Sequence, residues 1–154
     1  VLYTSGPNLG TDTVTAMVVS NGLTGSTEIQ IMDPEPAQIT LSLSSNFAKP
    51  DGVSQVTLTA TVTDKWGDPV PGQEVHIGVE GDVQLGTIEG GEVASGVTDA
   101  NGQFSVVYTS GETMGVVGVR AELYFDQGNG LEVVDYDRKE IQLGSAVYLP
   151  IVKK

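Results

Sequence analysis

Apolar residues recur at every second position through much of this chain. Val56-Thr57-Leu58-Thr59-Ala60-Thr61-Val62-Thr63 sets Val56, Leu58, Ala60 and Val62 on one face and threonines on the other, the period of a half-buried β-strand. Ile39, Leu41 and Leu43 alternate in the same way, as do Val75, Ile77 and Val79, and then Phe104, Val106 and Tyr108. A longer run sends Val117, Val119, Ala121 and Leu123 inward, and Ile141 and Leu143 close the last strand. Between these runs, Asn46 to Gly52 reads as a turn region, and residues 81–98 as a glycine-rich irregular stretch with short pairings at Thr87-Ile88 and Val93. Thr98 to Gly102 is a turn, and Asp126 to Arg138 an acidic loop or extended hairpin. The pattern predicts an all-β, antiparallel sandwich of about seven strands, the immunoglobulin-like count.

One stretch connects two of these runs with particular chemistry. Asp64-Lys65-Trp66-Gly67-Asp68-Pro69-Val70-Pro71-Gly72-Gln73 offers Gly67 for positive φ, two prolines to stiffen the chain, and Gly72 to release it. It reads as a crossing loop between sheets rather than a tight hairpin. Together with Asp51-Gly52 upstream and Thr98-Asp99-Ala100-Asn101-Gly102-Gln103-Phe104 downstream, it resembles the bacterial immunoglobulin-like group 1 domain over residues 37–143. That family's usual motif runs V-x-D-x-x-G-N-P-V-P-G-x-x-V, and Asp68 stands where Asn is common. The resemblance implies an invasin/intimin-type adhesin repeat at a bacterial cell surface or outside the cell. Such modules act as stalks, spacers or binding tips.

The chain also repeats itself. Sliding it by 105 residues aligns Val1-Leu2-Tyr3-Thr4-Ser5-Gly6 with Val106-Val107-Tyr108-Thr109-Ser110-Gly111, then Gly10 with Gly115, Val14 with Val119 and Ala16 with Ala121, giving eight identities in eighteen positions. Glu28-Ile29-Gln30-Ile31 matches Glu140-Ile141-Gln142-Leu143 once seven residues are inserted. Residues 1–33 therefore read as the last three strands of a preceding copy, residues 34–144 as a complete domain, and residues 145–154 as an apolar tail. Three strands cannot bury an apolar face alone, so Tyr3, Val14, Ile29 and Ile31 need cover from the missing part of a longer chain, another copy, or the chain's own second domain. The tail, with Tyr148, Leu149 and Ile151, is either an edge strand of its own sheet or a donor strand for a neighbour.

Charge narrows the partners. The net charge of −13 in 154 residues disfavours binding to nucleic acid phosphates, and no run is long and apolar enough to span a membrane. Absence of cysteine excludes disulfides, thiolate metal sites and a Cys nucleophile. His76, the one histidine, falls on the outer face of its strand with no structural duty and no marked triad partners, which argues against an enzyme. The strand-end or loop positions of Lys49, Lys65 and Lys139 argue against an isopeptide cross-link.

The acids Asp64, Asp68 and Asp99 read first as Asx turns. A calcium ion, as the one cofactor to consider, falls to Asp126, Asn129, Glu132, Asp135 and Asp137. Trp66, the sole tryptophan, is either a saccharide-stacking platform or a packing residue at the domain end or an interdomain contact. Three functions follow: a stalk or spacer in a tandem array, a fibre subunit joined by strand complementation through residues 1–33 and the tail, and a carbohydrate- or receptor-binding tip. The partners are other repeats, copies of the chain, or a host ligand.

Overall fold

The computed structural model describes residues 2–4, 10–31, 35–126, 128 and 130–144, which divide into the units Val1–Pro34 and Glu35–Lys154. In the first unit, β1 (Gly10–Met17) and β2 (Thr24–Ile31) form an antiparallel hairpin. Two strands stand among the described residues of this unit; of the segment read as a third, Leu2–Thr4 is not strand and residues 5–9 lie outside the described set. The register places Val14, Ala16, Ile29 and Ile31 on one face with Asp12, to which the Tyr3 hydroxyl donates. On the other face only Met17 is apolar among Thr11, Thr13, Thr15, Thr24, Ser26, Glu28 and Gln30.

The second unit is a sandwich of β3 (Gln38–Leu43), β4 (Phe47–Ala48), β5 (Gln55–Thr63), β6 (Glu74–Glu80), β7 (Gly86–Ile88), β8 (Val93–Val97), β9 (Gln103–Ser110), β10 (Gly115–Asp126) and β11 (Leu131–Leu143). Its sheets run β4-β11-β10-β6-β8 and β3-β5-β9-β7. All pairs are antiparallel except β4 with β11. The alternation predicts the core closely: Leu58, Ala60, Val62, Val75, Ile77, Val119, Ala121, Leu123 and Ile141 are fully enclosed between the sheets. Tyr108 joins them and its hydroxyl donates to Leu85 O at 2.5 Å, while burial pushes its pKa up to about 12.

Several segments differ from their sequence reading. Within the turn region 46–52, Phe47–Ala48 pairs in parallel with Gln142–Leu143, so the first strand leaves one sheet and joins the other. The irregular stretch 81–98 contains the full strand β8. Asp126 to Arg138 is the extended hairpin, bulged at Leu123/Tyr124. Lys139 lies inside β11 rather than at a strand end, with Nζ 2.9 Å from Asp137 Oδ2.

Candidate functional site

Both ends of the crossing loop are now visible. Asp64–Asp68 is a tight turn after all. Asp64 N–H donates to Asp68 O at 2.9 Å and Gly67 N–H to Asp64 O at 3.1 Å, with Gly67 at φ 90°. This is a three-residue hairpin loop, 65–67, whose third residue needs a positive φ. Asp64 is buried, and its Oδ1 accepts from the N–H groups of Trp66 and Asp68, both at 2.9 Å. The crossing to β6 comes later, where Thr98 pins it: Thr98 Oγ1 accepts from Gln73 N–H at 2.9 Å and donates to Val70 O at 2.8 Å.

The same construction recurs. Asp99 accepts from Asn101 and Gln103 N–H groups at 2.8 and 2.9 Å, while its own N–H reaches Gln103 O and Gly102 N–H reaches Asp99 O. Asp126 accepts from Gly128 and Gly130 at 2.7 and 3.0 Å. Three aspartates thus hold the N–H groups two and four residues ahead of them.

The acids weighed for calcium are not brought together. Asp135 Oδ2 accepts from Ile39 N–H and Asp137 Oδ2 from Leu41 N–H, both at 2.9 Å, so these carboxylates fasten β11 to the open edge of β3. Glu132 is exposed on β11 and Asn129 lies outside the described residues. No group of three His, Cys, Asp or Glu among the described residues is placed to hold a metal ion.

These caps set an acid response. The Asp51 carboxyl lies below its ordinary value of 3.8 because Val53 and Ser54 N–H groups donate to it. Asp99 is lowered by Gln103 and Asn101. At Asp137 burial alone would raise the value, but the Leu41 amide, Lys139 and the Arg138 amide outweigh it and lower it from 3.8. A folded pKa below the unfolded one stabilises the fold above 3.8, and that contribution is lost as pH falls through the folded value. The melting temperature is therefore expected to stay flat down to about pH 4 and to fall as the pH drops further. A D51N/D99N/D137N variant, melted across the same range, should show a shallower decline than the parent; an equal decline would place the acid response elsewhere.

Trp66 is 68% exposed and does not pack over the end of the sandwich. Lys65 Nζ sits 4.2 Å from its ring centroid. His76 has partners the sequence did not reveal: Glu74 Oε1 at 3.0 Å and the Tyr124 ring at 4.3 Å. His76 and Tyr124 line a groove of about 310 Å³ on the outer face of the five-stranded sheet, together with Gly78, Glu80, Val93 and Arg120. Arg120 pairs with Glu122 at 2.9 Å and stacks on Tyr136, and Tyr124 donates to Glu122, which raises the phenol's pKa chiefly through that bond and secondarily through burial. The charges of this face are largely paired with one another. Only cross-strand register brings these residues together, so spacing along the chain gave no signal of them. The interaction candidates Tyr148, Leu149 and Ile151 lie outside the described residues.

Two antiparallel sheets, a parallel return of the first strand, and Asp-anchored turns define an immunoglobulin-like β-sandwich. The chain belongs to the family described as bacterial Ig-like domain (group 1), whose pattern matches residues 38–134, more than half its length. No curated protein matches it. Among solved structures, it is similar to the adhesin InvE of Yersinia pseudotuberculosis, at 21% identity and TM-score 0.55 over 92% of this chain and 41% of that one. The D0-D1 domain of intimin aligns at 21% identity and TM-score 0.52 over 90% and 64%. A glycosyl hydrolase family 2 member from Bacteroides cellulosilyticus aligns at 19% identity and TM-score 0.56 over 86% and 17%. The chain spans less than two thirds of each. At these identities the likeness is one of fold. Among the described residues, no helix is long and apolar enough to cross a membrane.

Proposed function

We propose that this chain is a structural module of a bacterial cell-surface or secreted adhesin-type protein, serving as a stalk or spacer in a tandem array of Ig-like domains. Val1–Pro34 is then the closing hairpin of a preceding copy. Hairpin register carries this reading. Gly10 faces Ile31 and Val14 faces Thr27 in β1–β2, while Gly115 faces Leu143 and Val119 faces Lys139 in β10–β11. The 105-residue offset on one strand and the 112-residue offset on the other map one pairing onto the other without a slip. A one-residue slip would have turned Ile29 and Ile31 to the polar face. Family membership and the likeness to InvE and intimin support a place at the cell surface.

The test is to supply the missing strands. Residues 35–105 placed directly before Val1, the junction dictated by the offset, should complete a first sandwich. Amide exchange at Val14, Ile29 and Ile31 is then expected to slow at least a hundredfold, since enclosed strands open only with large-scale unfolding. Unchanged exchange at those three amides would overturn the reading.

A further inference from the structure

The sandwich guards its sheet edges unevenly. The open side of β3 is occupied by the Asp135 and Asp137 carboxylates, and β4 and β7 are only two and three residues long. β8 has neither protection. It pairs with β6 alone, and its sequence Val93-Ala94-Ser95-Gly96-Val97 carries no lysine, proline or bulge. Val79 N–H donates to Glu92 O and Thr98 N–H to Gln73 O, which fixes the alternation: Ala94 and Gly96 bond toward β6, and Val93, Ser95 and Val97 turn both backbone groups outward. Among the described residues nothing accepts or donates there. The side chains of Val93 and Val97 are 58% and 63% exposed beside those unpaired groups.

We infer that β8 is the acceptor edge for the C-terminal segment Val147–Ile151 of a second copy of this chain. An antiparallel pairing with Ile151 opposite Val93, Leu149 opposite Ser95 and Val147 opposite Val97 directs the N–H groups of those three donor residues to the edge. Their side chains then lie on the outer face and cover the two exposed valines. Pro150 falls at a position facing away from β8, where its missing N–H costs no bond and denies the new edge to a further strand. This orientation carries Lys153 and Lys154 past Val93, toward Glu89 and Glu92, on a chain of net charge −13.

The donor belongs to another copy because its own tail does not reach. From β11 to a position beyond β8 is four strand spacings, about 19 Å, which uses about six extended residues and so consumes 145–150 in the crossing. Such a contact joins different surfaces of two copies, and it propagates as an open chain.

Light scattering and sedimentation of the full chain and two full-length variants test this. Ser95→Pro removes an outward N–H and leaves the β6–β8 ladder intact, and L149D/I151D spoils the donor; circular dichroism checks each fold. The parent is expected to assemble with rising concentration, and each variant alone to need at least a tenfold higher concentration. An equimolar mixture, in which one variant still has a donor and the other an open edge, should give one-to-one dimers and nothing longer. A parent that stays monomeric up to its solubility limit overturns the proposal. So does assembly that either variant leaves unchanged, which would mark two β8 edges pairing or an acceptor elsewhere, and so does a mixture that remains monomeric.

Discussion

A methyl group at Gly102 is expected to cost the sandwich about 3–5 kcal/mol, lowering its melting temperature by roughly 15–25 °C. Gly102 sits at φ 70°, and a Cβ there would lie 2.5 Å from Val62 O, 3.0 Å from Val70 N and 3.1 Å from Pro69 Cβ. Two of those three atoms are backbone, Val62 O of β5 and Val70 N of the crossing connection, held in turn by Val62 N–H donating to Gly102 O and Val70 N–H donating to Val62 O. Relief of the collision therefore breaks the bonds that define the loop. Gly67 is the built-in control. It holds the same position in the sister turn, at φ 90°, yet a Cβ there meets nothing within 4 Å. Gly67→Ala pays only the left-handed backbone strain, about 1–2 kcal/mol. Urea unfolding of G102A and G67A should separate the two by at least about 1.5 kcal/mol. Equal losses would mean that the collision relaxes freely and that backbone strain alone matters.

Asp64→Ala is the second large effect. The carboxylate is only 6% exposed and satisfies two N–H groups in the turn. Its removal takes the acceptor from both donors, at about 2–4 kcal/mol for charged-acceptor bonds lost from a part-buried site. Asp64→Asn keeps an oxygen acceptor and is expected to recover about half of that loss. Asp99 makes the matching bonds from an exposed position, where water replaces a missing acceptor, so D99A should cost clearly less than D64A. Denaturant melts that rank D99A as costly as D64A would show that burial of Asp64 contributes nothing.

Much of this fold was legible because alternation and turn chemistry act over short range. Val56 to Thr63 could only be a half-buried strand, and Asp64 and Asp99, each three residues before a glycine, marked two turns of one type. The tightness of the first turn was hidden by Pro69 and Pro71, which pointed to the crossing that follows it. Long-range bonds left no local trace. Asp135 and Asp137 looked like an acidic loop, yet each bonds an amide 96 residues away. One sign was available: both share the parity of inward Ile141, so an inward-facing carboxylate needed a buried donor. His76, Tyr124 and Glu122 meet through the register of β6 and β10, which their own neighbours along the chain do not determine.

Those 96-residue fastenings have a mechanical side. Ile39 is tied to Asp135, Leu41 to Asp137, Asn46 O to Gln142 N–H and Ala48 O to Gly144 N–H, so the first strand runs parallel to the last along its whole length. Traction applied at residue 38 and residue 144 draws the two strands past each other lengthwise. All four ties then bear the load at once, whereas an antiparallel terminal pair would peel open one bond at a time. Alanine at both Asp135 and Asp137 would remove half of these ties, leaving a module that yields at lower force while its hydrophobic interior is unchanged.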